Sequence, residues 1–288
     1  TQKPIIAQSD ILIVGSNQRL LTRINSAIYL SQDKKVISIA HGEHSPYVLD
    51  EPGTGYGEMI YCNDYIDYGR QIDFEQLKYA LPIKKLPKMH FRSSKVIRNY
   101  YRNNKIISDI HLKNNSKILY IPTLFSGNER YGPFRDIEDS LYKKWQDSIM
   151  NLNYNVTYKV HPKNKVDVEN KFNKINKKNL NKVILDYDFY ILDYISTASA
   201  LCVATSKPII YFNLGKRNLL KEAEELFKKR VFWVDINMSE DFTIQINQAL
   251  KTFIEVEKKY INEYTEKFSL AEDNKSEIEV LEDILRKD

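Results

Sequence analysis

Two segments decide the fold: Tyr158-Lys159-Val160-His161-Pro162-Lys163 and, later in the chain, Asp193-Tyr194-Ile195-Ser196-Thr197-Ala198-Ser199. Each continues an apolar stretch that predicts a buried strand, and each ends in polar groups. The His-Pro pair stops the first strand, because the residue before a proline is pushed out of the helical region. The hydroxyl cluster opens a helix after the second strand. In a parallel α/β sheet, both sets of polar groups reach the carboxyl edge of the strands, where ligands bind.

Strands and helices alternate along the rest of the chain, which predicts a parallel sheet covered on both faces. The strands are expected at 10–14, 36–40, within 59–68, and at 117–121, 156–160, 182–186, 189–193, 208–212 and 231–235. The helices are expected from about Gly15 to Leu30 and at 138–152, 197–205, 218–229, 240–268, with a kink or break in that last one, and 276–286.

The pattern divides into two α/β domains, residues 1–105 and residues 106–288. Residues 70–116 carry prolines and many Lys, Arg and Asn, so we expect them to hold the crossover between the domains. Only about three strands precede this crossover. The first domain is therefore predicted to be reduced or truncated.

Composition and charge restrict the classes of ligand that the protein could bind. The chain has 288 residues, a 42% hydrophobic content and a net charge of +5. This charge suits an anionic small molecule or an acidic membrane surface, and it is too modest to argue for nucleic acid. The two cysteines, Cys62 and Cys202, lack disulfide-scaffold and metal-ligand spacing, and no apolar run is long enough for a membrane span. We expect a cytoplasmic location.

Several enzyme classes lack their sequence signatures. The chain has no Gly-x-Gly-x-x-Gly, no Walker lysine motif and no Gly-x-Ser-x-Gly elbow. Dehydrogenase, P-loop and serine-hydrolase functions are therefore unsupported.

His161 is the first candidate site residue. Its imidazole is held at a strand end, where it can meet a phosphate oxygen or a leaving group. The alternative is a histidine that only caps a turn. Lys159 and Lys163 on either side, together with the hydroxyls downstream, favour a phosphate-binding and catalytic role.

Ser196, Thr197 and Ser199 form the second candidate group. One hydroxyl suffices for a helix cap, and three exceed what a cap requires, so a phosphate cradle at the helix N-terminus is favoured. Asp193 either orients these hydroxyls or is an ordinary strand-end carboxylate. Asn213 ends a later core strand and could touch the nucleotide or sugar.

His41-Gly42-Glu43-His44 closes a strand of the first domain. Glu43, His41 and His44 offer groups that could take a proton from an acceptor hydroxyl. A non-catalytic loop is the alternative. Two histidines three residues apart in a loop are a weak metal signal, and no metal site is predicted.

Residues 126–136 follow the strand at 117–121 and should also reach the ligand edge. Arg130 or Arg135 could clamp a phosphate or carboxylate, and Glu129 or Asp136 could act as base or nucleophile. Asp136 also fits the plainer role of an acidic residue that opens a helix.

The order of these motifs resembles bacterial transferases of surface polysaccharides. The motifs are His41-Gly42, Tyr158 to Pro162, Asp193 to Thr197, and Lys207-Pro208-Ile209-Ile210-Tyr211. The nearest patterns are the CDP-glycerol glycerophosphotransferases of teichoic-acid synthesis and the CMP-linked Kdo and sialic-acid-type transferases of capsule and lipopolysaccharide. The glycerophosphotransferase pattern has His-Gly-Thr and Asp-Tyr-Ser-Ser, where this chain has His41-Gly42-Glu43 and Asp193-Tyr194-Ile195-Ser196-Thr197. The segment around Glu129-Arg130, the helix to Trp145 and then Lys159-Val160-His161-Pro162 resemble the ulosonate-type proteins more closely, and this favours a sugar donor over glycerol phosphate.

The resemblance implies two Rossmann-like domains that face a cleft in the GT-B arrangement, with the terminal helix crossing back onto the first domain. It implies that His161, Ser196 and Thr197 bind the donor's phosphate, and that no cofactor is needed. The expected activity is a glycosyltransferase that moves a sugar, such as Kdo or another ulosonate from a CMP-activated donor, onto a growing glycan or lipid-linked glycan. Peripheral contact with the inner face of the cell membrane is also expected. The alternatives are a CDP-alditol phosphotransferase and a non-catalytic nucleotide- or glycan-binding module.

Overall fold

The computed structural model describes residues 9–15, 17, 19–42, 48, 55–70, 87–101, 106–107, 115–122, 139–161, 173–175, 179–215, 217–255 and 260–286. The chain forms two compact units. Unit 1 comprises Thr1–Lys95 and Glu266–Asp288, and unit 2 comprises Val96–Thr265. The boundary expected from the sequence was 105/106, with residues 266–288 in the second domain.

Unit 1 is built on a parallel four-stranded sheet. Its strands are β1 (Ile11–Val14), β2 (Lys35–Ile39), β3 (Asp64–Tyr68) and β4 (Lys88–Arg92), and they lie side by side in chain order. Its helices are α1 (Leu20–Ser31), α7 (Glu263–Phe268), which the unit boundary cuts near its middle, and α8 (Glu277–Arg286). A short π-helical turn spans Gly55–Met59.

Side chains that alternate along the strands of unit 1 pack in two different clusters, one with α1 and one with α8. Val36 and Tyr65 pack on the side that also receives side chains of α1, whereas Ile37 and Ile66 pack against Val280 and neighbouring residues of α8. Alternation is expected, because successive side chains of a strand point to opposite faces. The prediction that the terminal helix returns to the first domain is confirmed.

Unit 2 is built on a parallel six-stranded sheet. The strands are β6 (Lys117–Ile121), β7 (Asn155–Lys159), β8 (Lys174–Ile175), β9 (Phe189–Leu192), β10 (Ile209–Asn213) and β11 (Phe232–Asp235). Their order across the sheet is β11-β10-β9-β6-β7-β8. The helices are α2 (Lys95–Tyr101), whose first residue belongs to unit 1, α3 (Asp139–Met150), α4 (Thr197–Ala204), α5 (Lys221–Arg230) and α6 (Phe242–Glu255). Short strands β5 (Ile106–Ile107) and β12 (Tyr260–Ile261) pair antiparallel as a separate two-stranded sheet.

Aromatic side chains of the larger sheet pack against helices of unit 2 on both faces of the sheet. On one face, Trp145 of α3 meets Phe212 and Phe242 edge-on, with ring centroids 5.3 and 5.4 Å apart. Elsewhere in the unit, Tyr211 packs edge-on against Phe227 of α5 at 5.2 Å. Edge-to-face pairs of this kind are favoured by the charge distribution of the rings. The α/β class with parallel sheets, predicted from the sequence, is confirmed.

One predicted element was wrong. Residues 182–186 were expected to form a strand but form 3₁₀ turns at Leu180–Lys182 and Ile184–Asp186, because a short apolar run fits either structure. The break expected within the helix at 240–268 is present, since β12 lies between α6 and α7. Residues 70–116, expected to hold the crossover, also contribute β4 to the sheet of unit 1. This strand was not predicted, because it begins and ends with a charged residue.

Candidate functional site

The strand order of unit 2 creates a position for a ligand. From β6, the chain builds outward through β7 and β8, and it then crosses to the other side of β6 to add β9, β10 and β11. The direction of growth therefore reverses between β6 and β9. In open parallel sheets, ligands bind outside the carboxyl ends of the strands at such a switch point.

The loop from Asp193 to Ser196 leaves β9 at this point and leads directly into α4. Ser196 has extended backbone angles and caps the helix, because its Oγ accepts a hydrogen bond from the amide of Ala198 at 3.2 Å. In return, the Oγ of Ser199 accepts from the amide of Ser196 at 2.8 Å and donates to its carbonyl at 2.7 Å. These reciprocal bonds form a capping box, which fixes the helix N-terminus.

The three predicted hydroxyls therefore differ in availability. Ser199 is buried and its oxygen is engaged in the cap, whereas Ser196 is half-buried and combines a cap with partial exposure. Thr197 is exposed at the first position of α4. Because backbone amides and the positive end of the helix dipole meet there, Thr197 is the hydroxyl best placed to accompany an anion.

Arg217 adds a cation beside this loop. It lies beyond the end of β10, is almost fully buried, and donates from Nε to the carbonyl of Ile195 at 3.3 Å. Its guanidinium carbon lies 4.2 Å from the ring centroid of Tyr194. Arg217 thus stacks on the loop that precedes Ser196, and it brings positive charge to the switch point.

Asp193 lies beneath the loop in a buried polar network. Its Oδ2 accepts hydrogen bonds from Tyr120 Oη at 2.5 Å and Trp145 Nε1 at 2.9 Å, with Tyr142 Oη at 3.5 Å. Burial, and then the negative charge of Asp193, raise the pKa of Tyr120 well above its usual value. The carboxylate of Asp193 therefore links the end of β9 to β6 and α3. The hydroxyls of Ser196 and Ser199 bond instead to backbone groups at the start of α4.

Lys159 and His161 lie at the end of β7, on the other side of β6. Strands β7 and β9 both neighbour β6, so their ends are about 10 Å apart. His161 is half-buried at the strand exit. Lys159 is buried, its Nζ donates to the carbonyl of Val160 at 2.9 Å, and burial lowers the pKa of its ammonium group.

Asn213, predicted to contact nucleotide or sugar, is engaged within the protein. Its Nδ2 donates to Asp235 Oδ1 at 2.7 Å, and its Oδ1 accepts from the amide of Gly215 at 3.1 Å. These bonds shape the turn that carries the chain from β10 toward Arg217.

In unit 1, His41 lies just beyond the end of β2 and is exposed. Its amide lies 3.4 Å from Oε2 of Glu58, a buried carboxylate that also accepts from Tyr65 Oη at 2.8 Å. Glu58 was not anticipated: it belongs to the π-helical turn, just before the strand expected within 59–68. Such turns are frequent at functional sites.

The remaining candidates, Glu43, Lys163, Glu129, Arg130 and Asp136, lie outside the described residues. The structure therefore brings together Ser196, Thr197 and Ser199 at the switch point and puts Lys159 and His161 two strands away. Arg217 was missed: it lies in a turn beyond Asn213, the last residue of β10. Within the described ranges, no group of three His, Cys, Asp or Glu side chains could hold a metal ion.

No protein-family model matches the chain, and no curated protein matches it.

Proposed function

We propose that this protein is a glycosyltransferase that uses a nucleotide-activated sugar and holds the phosphate of that donor at the N-terminus of α4. The observation that carries the proposal is the reversal of strand order between β6 and β9, with Ser196 and Thr197 directly after β9. A sheet edge of this kind, a helix N-terminus and an exposed hydroxyl together suit a phosphate ester.

Cations around the loop support the same ligand. Arg217 braces the residues before Ser196, and Lys159 and His161 end the strand on the far side of β6. As the bond to the sugar breaks, negative charge grows on the departing nucleotide phosphate. Donors and cations already in place stabilise that charge without reorganising. We infer that His161 assists this departure.

We propose that unit 1 handles the acceptor in a GT-B arrangement, and that a carboxylate removes the proton of the attacking hydroxyl. Glu43 and Glu129 remain the candidates for that base, with Asp136 behind them. His41 supports a role for the loop after β2, because it is exposed at the carboxyl edge of the unit 1 sheet.

The first experiment is a thermal-shift screen with CMP, CDP, UDP and GDP, since a ligand that binds the native state raises its stability. We expect CMP to give the largest shift. Thr197→Ala should weaken binding about fivefold to tenfold without loss of stability, because it removes an exposed hydroxyl that the cap does not use. Thr243→Ala is the matched control, as Thr243 is also exposed in the first turn of a helix of unit 2.

The second experiment separates the alternative activities. Incubation with candidate donors and mass spectrometry of the products should release an ulosonate from a CMP-linked sugar, whereas glycerol phosphate from CDP-glycerol would indicate a phosphotransferase. His161→Ala should lower kcat/KM by roughly 30-fold to 1,000-fold, or about 2–4 kcal/mol of transition-state stabilisation. Nucleotide binding with no turnover of any donor would support the non-catalytic alternative.

A further inference from the structure

Helix α4 is uncharged and lies largely within the core of unit 2. None of its eight residues is Asp, Glu, Lys or Arg, and its buried residues include Ala200, Cys202 and Val203. Although apolar, it is far too short to span a membrane, and no other described helix is long and apolar enough to do so. The peptide dipoles of a helix leave partial positive charge at its N-terminus and partial negative charge at its C-terminus. Because α4 has no charged side chain of its own, any charge that compensates these ends comes from outside the helix.

A cation, Arg230, meets the C-terminal end of α4. It is the last residue of α5, and its side chain is fully buried. Nε donates to the carbonyl of Val203 at 2.9 Å, and Nη2 donates to the carbonyls of Thr205 at 2.8 Å and Lys207 at 2.9 Å. Val203 belongs to the last turn of α4, whose carbonyls have no partner within the helix. Arg230 therefore acts as a charged cap for this end of the helix.

Among the described residues, Arg230 has no acidic partner. The titratable groups that act on its charge are a thiol and two phenols, those of Cys202, Tyr190 and Tyr260. A buried charge is costly unless other groups compensate it. Around Arg230, the compensation comes from the three carbonyl oxygens and from the negative end of the α4 dipole.

The same end of α4 also has a neutral donor. Nδ2 of the buried Asn262 donates to the carbonyl of Val203 at 2.8 Å, and this is the oxygen that accepts from Nε of Arg230. A side-chain amide is therefore able to bond to this end of the helix. Hydrogen bonding alone does not account for a buried guanidinium, whose desolvation costs more than that of an amide. The feature that distinguishes Arg230 from Asn262 is its charge.

We propose that Arg230 is a positioning residue of the donor site that acts through α4: its charge compensates the negative end of the helix and so strengthens the attraction of the N-terminus for the donor's phosphate. This inference rests on the proposed function, which puts that phosphate beside Ser196 and Thr197. A helix of this length spans about 12 Å, so the guanidinium and the phosphate would be about 15 Å apart. For a doubly charged phosphate at that distance, an effective dielectric constant between about 20 and 80 corresponds to roughly a tenfold change in affinity.

The test compares CMP with cytidine, which lacks the phosphate, in ligand-observed NMR titrations of the full chain near neutral pH. Arg230→Gln removes the charge and keeps a hydrogen-bond donor, and we expect it to lower the affinity for CMP about tenfold while that for cytidine stays unchanged. Arg230→Lys keeps the charge, so its CMP affinity should remain within about twofold of the wild-type value. Asn262→Ala is the matched control, because it removes a neutral donor from the same carbonyl. It should lower the melting temperature and leave both affinities unchanged.

Two results would overturn this inference and leave the donor site in place: equal CMP affinity in the wild-type protein and Arg230→Gln, or an equal loss of affinity for CMP and cytidine. The second result would assign Arg230 a purely structural role. If the wild-type protein binds no CMP, the donor site as proposed fails, and the inference fails with it.

Should Arg230→Gln not fold, the pH dependence of the wild-type protein decides. Burial lowers the pKa of Arg230 to about 9 and raises the pKa values of Cys202, Tyr190 and Tyr260, so these three neighbours stay neutral while Arg230 loses its charge. The ratio of CMP affinity to cytidine affinity should therefore fall as pH rises from about 8 to about 10. It should fall in Lys159→Gln as well, a variant that removes the buried lysine whose pKa is also lowered. A constant ratio over that range would overturn the inference.

Discussion

The two parallel sheets differ in how the chain adds their strands. In unit 1 the order β1-β2-β3-β4 follows the chain, so the described sheet grows in one direction. In unit 2 the chain returns past β6 before it adds β9. In the second arrangement, the connections that follow β6 and β9 run in opposite directions. A crevice for a ligand forms between such connections at the carboxyl edge of a sheet. The comparison supports the proposal that the donor binds to unit 2.

The two units also differ in the partners of one buried carboxylate each, Asp64 in unit 1 and Asp193 in unit 2. In unit 1, Asp64 at the start of β3 lies 2.6 Å from His90 Nε2 and 3.4 Å from Lys35 Nζ. In unit 2, Asp193 after β9 accepts from neutral donors, a tyrosine hydroxyl and an indole. The first carboxylate has basic partners that reach solvent, whereas the second is held by aromatic donors inside the core. We therefore expect substitution of Asp193 to destabilise its unit more than substitution of Asp64 does.

The largest expected effect is on alkaline stability. Burial raises the pKa of Tyr120, Tyr158 and Tyr190 in unit 2, and of Tyr65 in unit 1. A raised folded-state pKa keeps the hydroxyl protonated, so its contribution is complete below the unfolded pKa near 10 and is lost as pH rises above it. For each such tyrosine, the free energy of unfolding falls by about 1.4 kcal/mol per pH unit between its unfolded-state and folded-state pKa.

Arg230 and Cys202 have opposite effects on the pH dependence of stability, so together they change it little. Burial lowers the pKa of Arg230 to about 9, which makes stability rise with pH above that value, whereas the raised pKa of Cys202 acts in the opposite direction. Both tryptophans, Trp145 and Trp233, belong to unit 2, so urea unfolding followed by fluorescence isolates that unit. Tyr158→Phe should flatten its pH dependence and Tyr65→Phe should not; equal slopes for the two variants would remove the distinction between the units.

Asp193→Asn should destabilise unit 2 by about 3 kcal/mol, because the amide nitrogen of asparagine would oppose a buried donor and the charge-assisted bonds would be lost. Asp64→Asn should cost unit 1 only about 1 kcal/mol, since His90 and Lys35 can turn toward water. Urea unfolding by circular dichroism measures both. If the two variants lost equal stability, the kind of partner, neutral or basic, would not determine what the buried carboxylate contributes.

Two glycines with positive φ provide a smaller contrast. Gly69 in unit 1 has φ +81°, and a Cβ there would lie 2.6 Å from the carbonyl oxygen of Lys267. Gly215 in unit 2 has φ +68° and open space around it. Gly69→Ala should cost about 2 kcal/mol from strain and overlap, and Gly215→Ala about 1 kcal/mol from strain alone. Thermal unfolding of both variants compares them, and a reversed order would contradict the close approach at Gly69.

The smallest effect concerns two helix caps. Ser196 caps α4, and Ser276 caps α8 with a reciprocal bond from its amide to Glu279 at 2.7 Å. Either serine replaced by alanine should lose about 1 kcal/mol of stability. Only Ser196→Ala should also weaken nucleotide binding in a titration. If Ser276→Ala weakens it equally, the effect comes from stability and not from the site.

Much of unit 2 could be predicted because its strands are short apolar runs with polar ends. The carboxyl-edge positions of His161 and Ser196 follow from that local pattern. The bonds of Asp193 to Tyr120 and Trp145 do not, since they require β9 to lie beside β6, and no local pattern carries strand order. Arg217 and Glu58 were missed for a related reason: one lies in a turn and the other in a π-helical segment, and neither has a sequence periodicity to mark it.

Helix α8 has a consequence for biosynthesis. Its residues Val280 and Ile284 cover Ile37 and Ile66, yet they are translated after all of unit 2. On the ribosome, unit 2 can therefore fold while one face of the unit 1 sheet still lacks its cover, and this delay exposes an aggregation-prone surface to chaperones. The nascent chain completes its amino-terminal unit last.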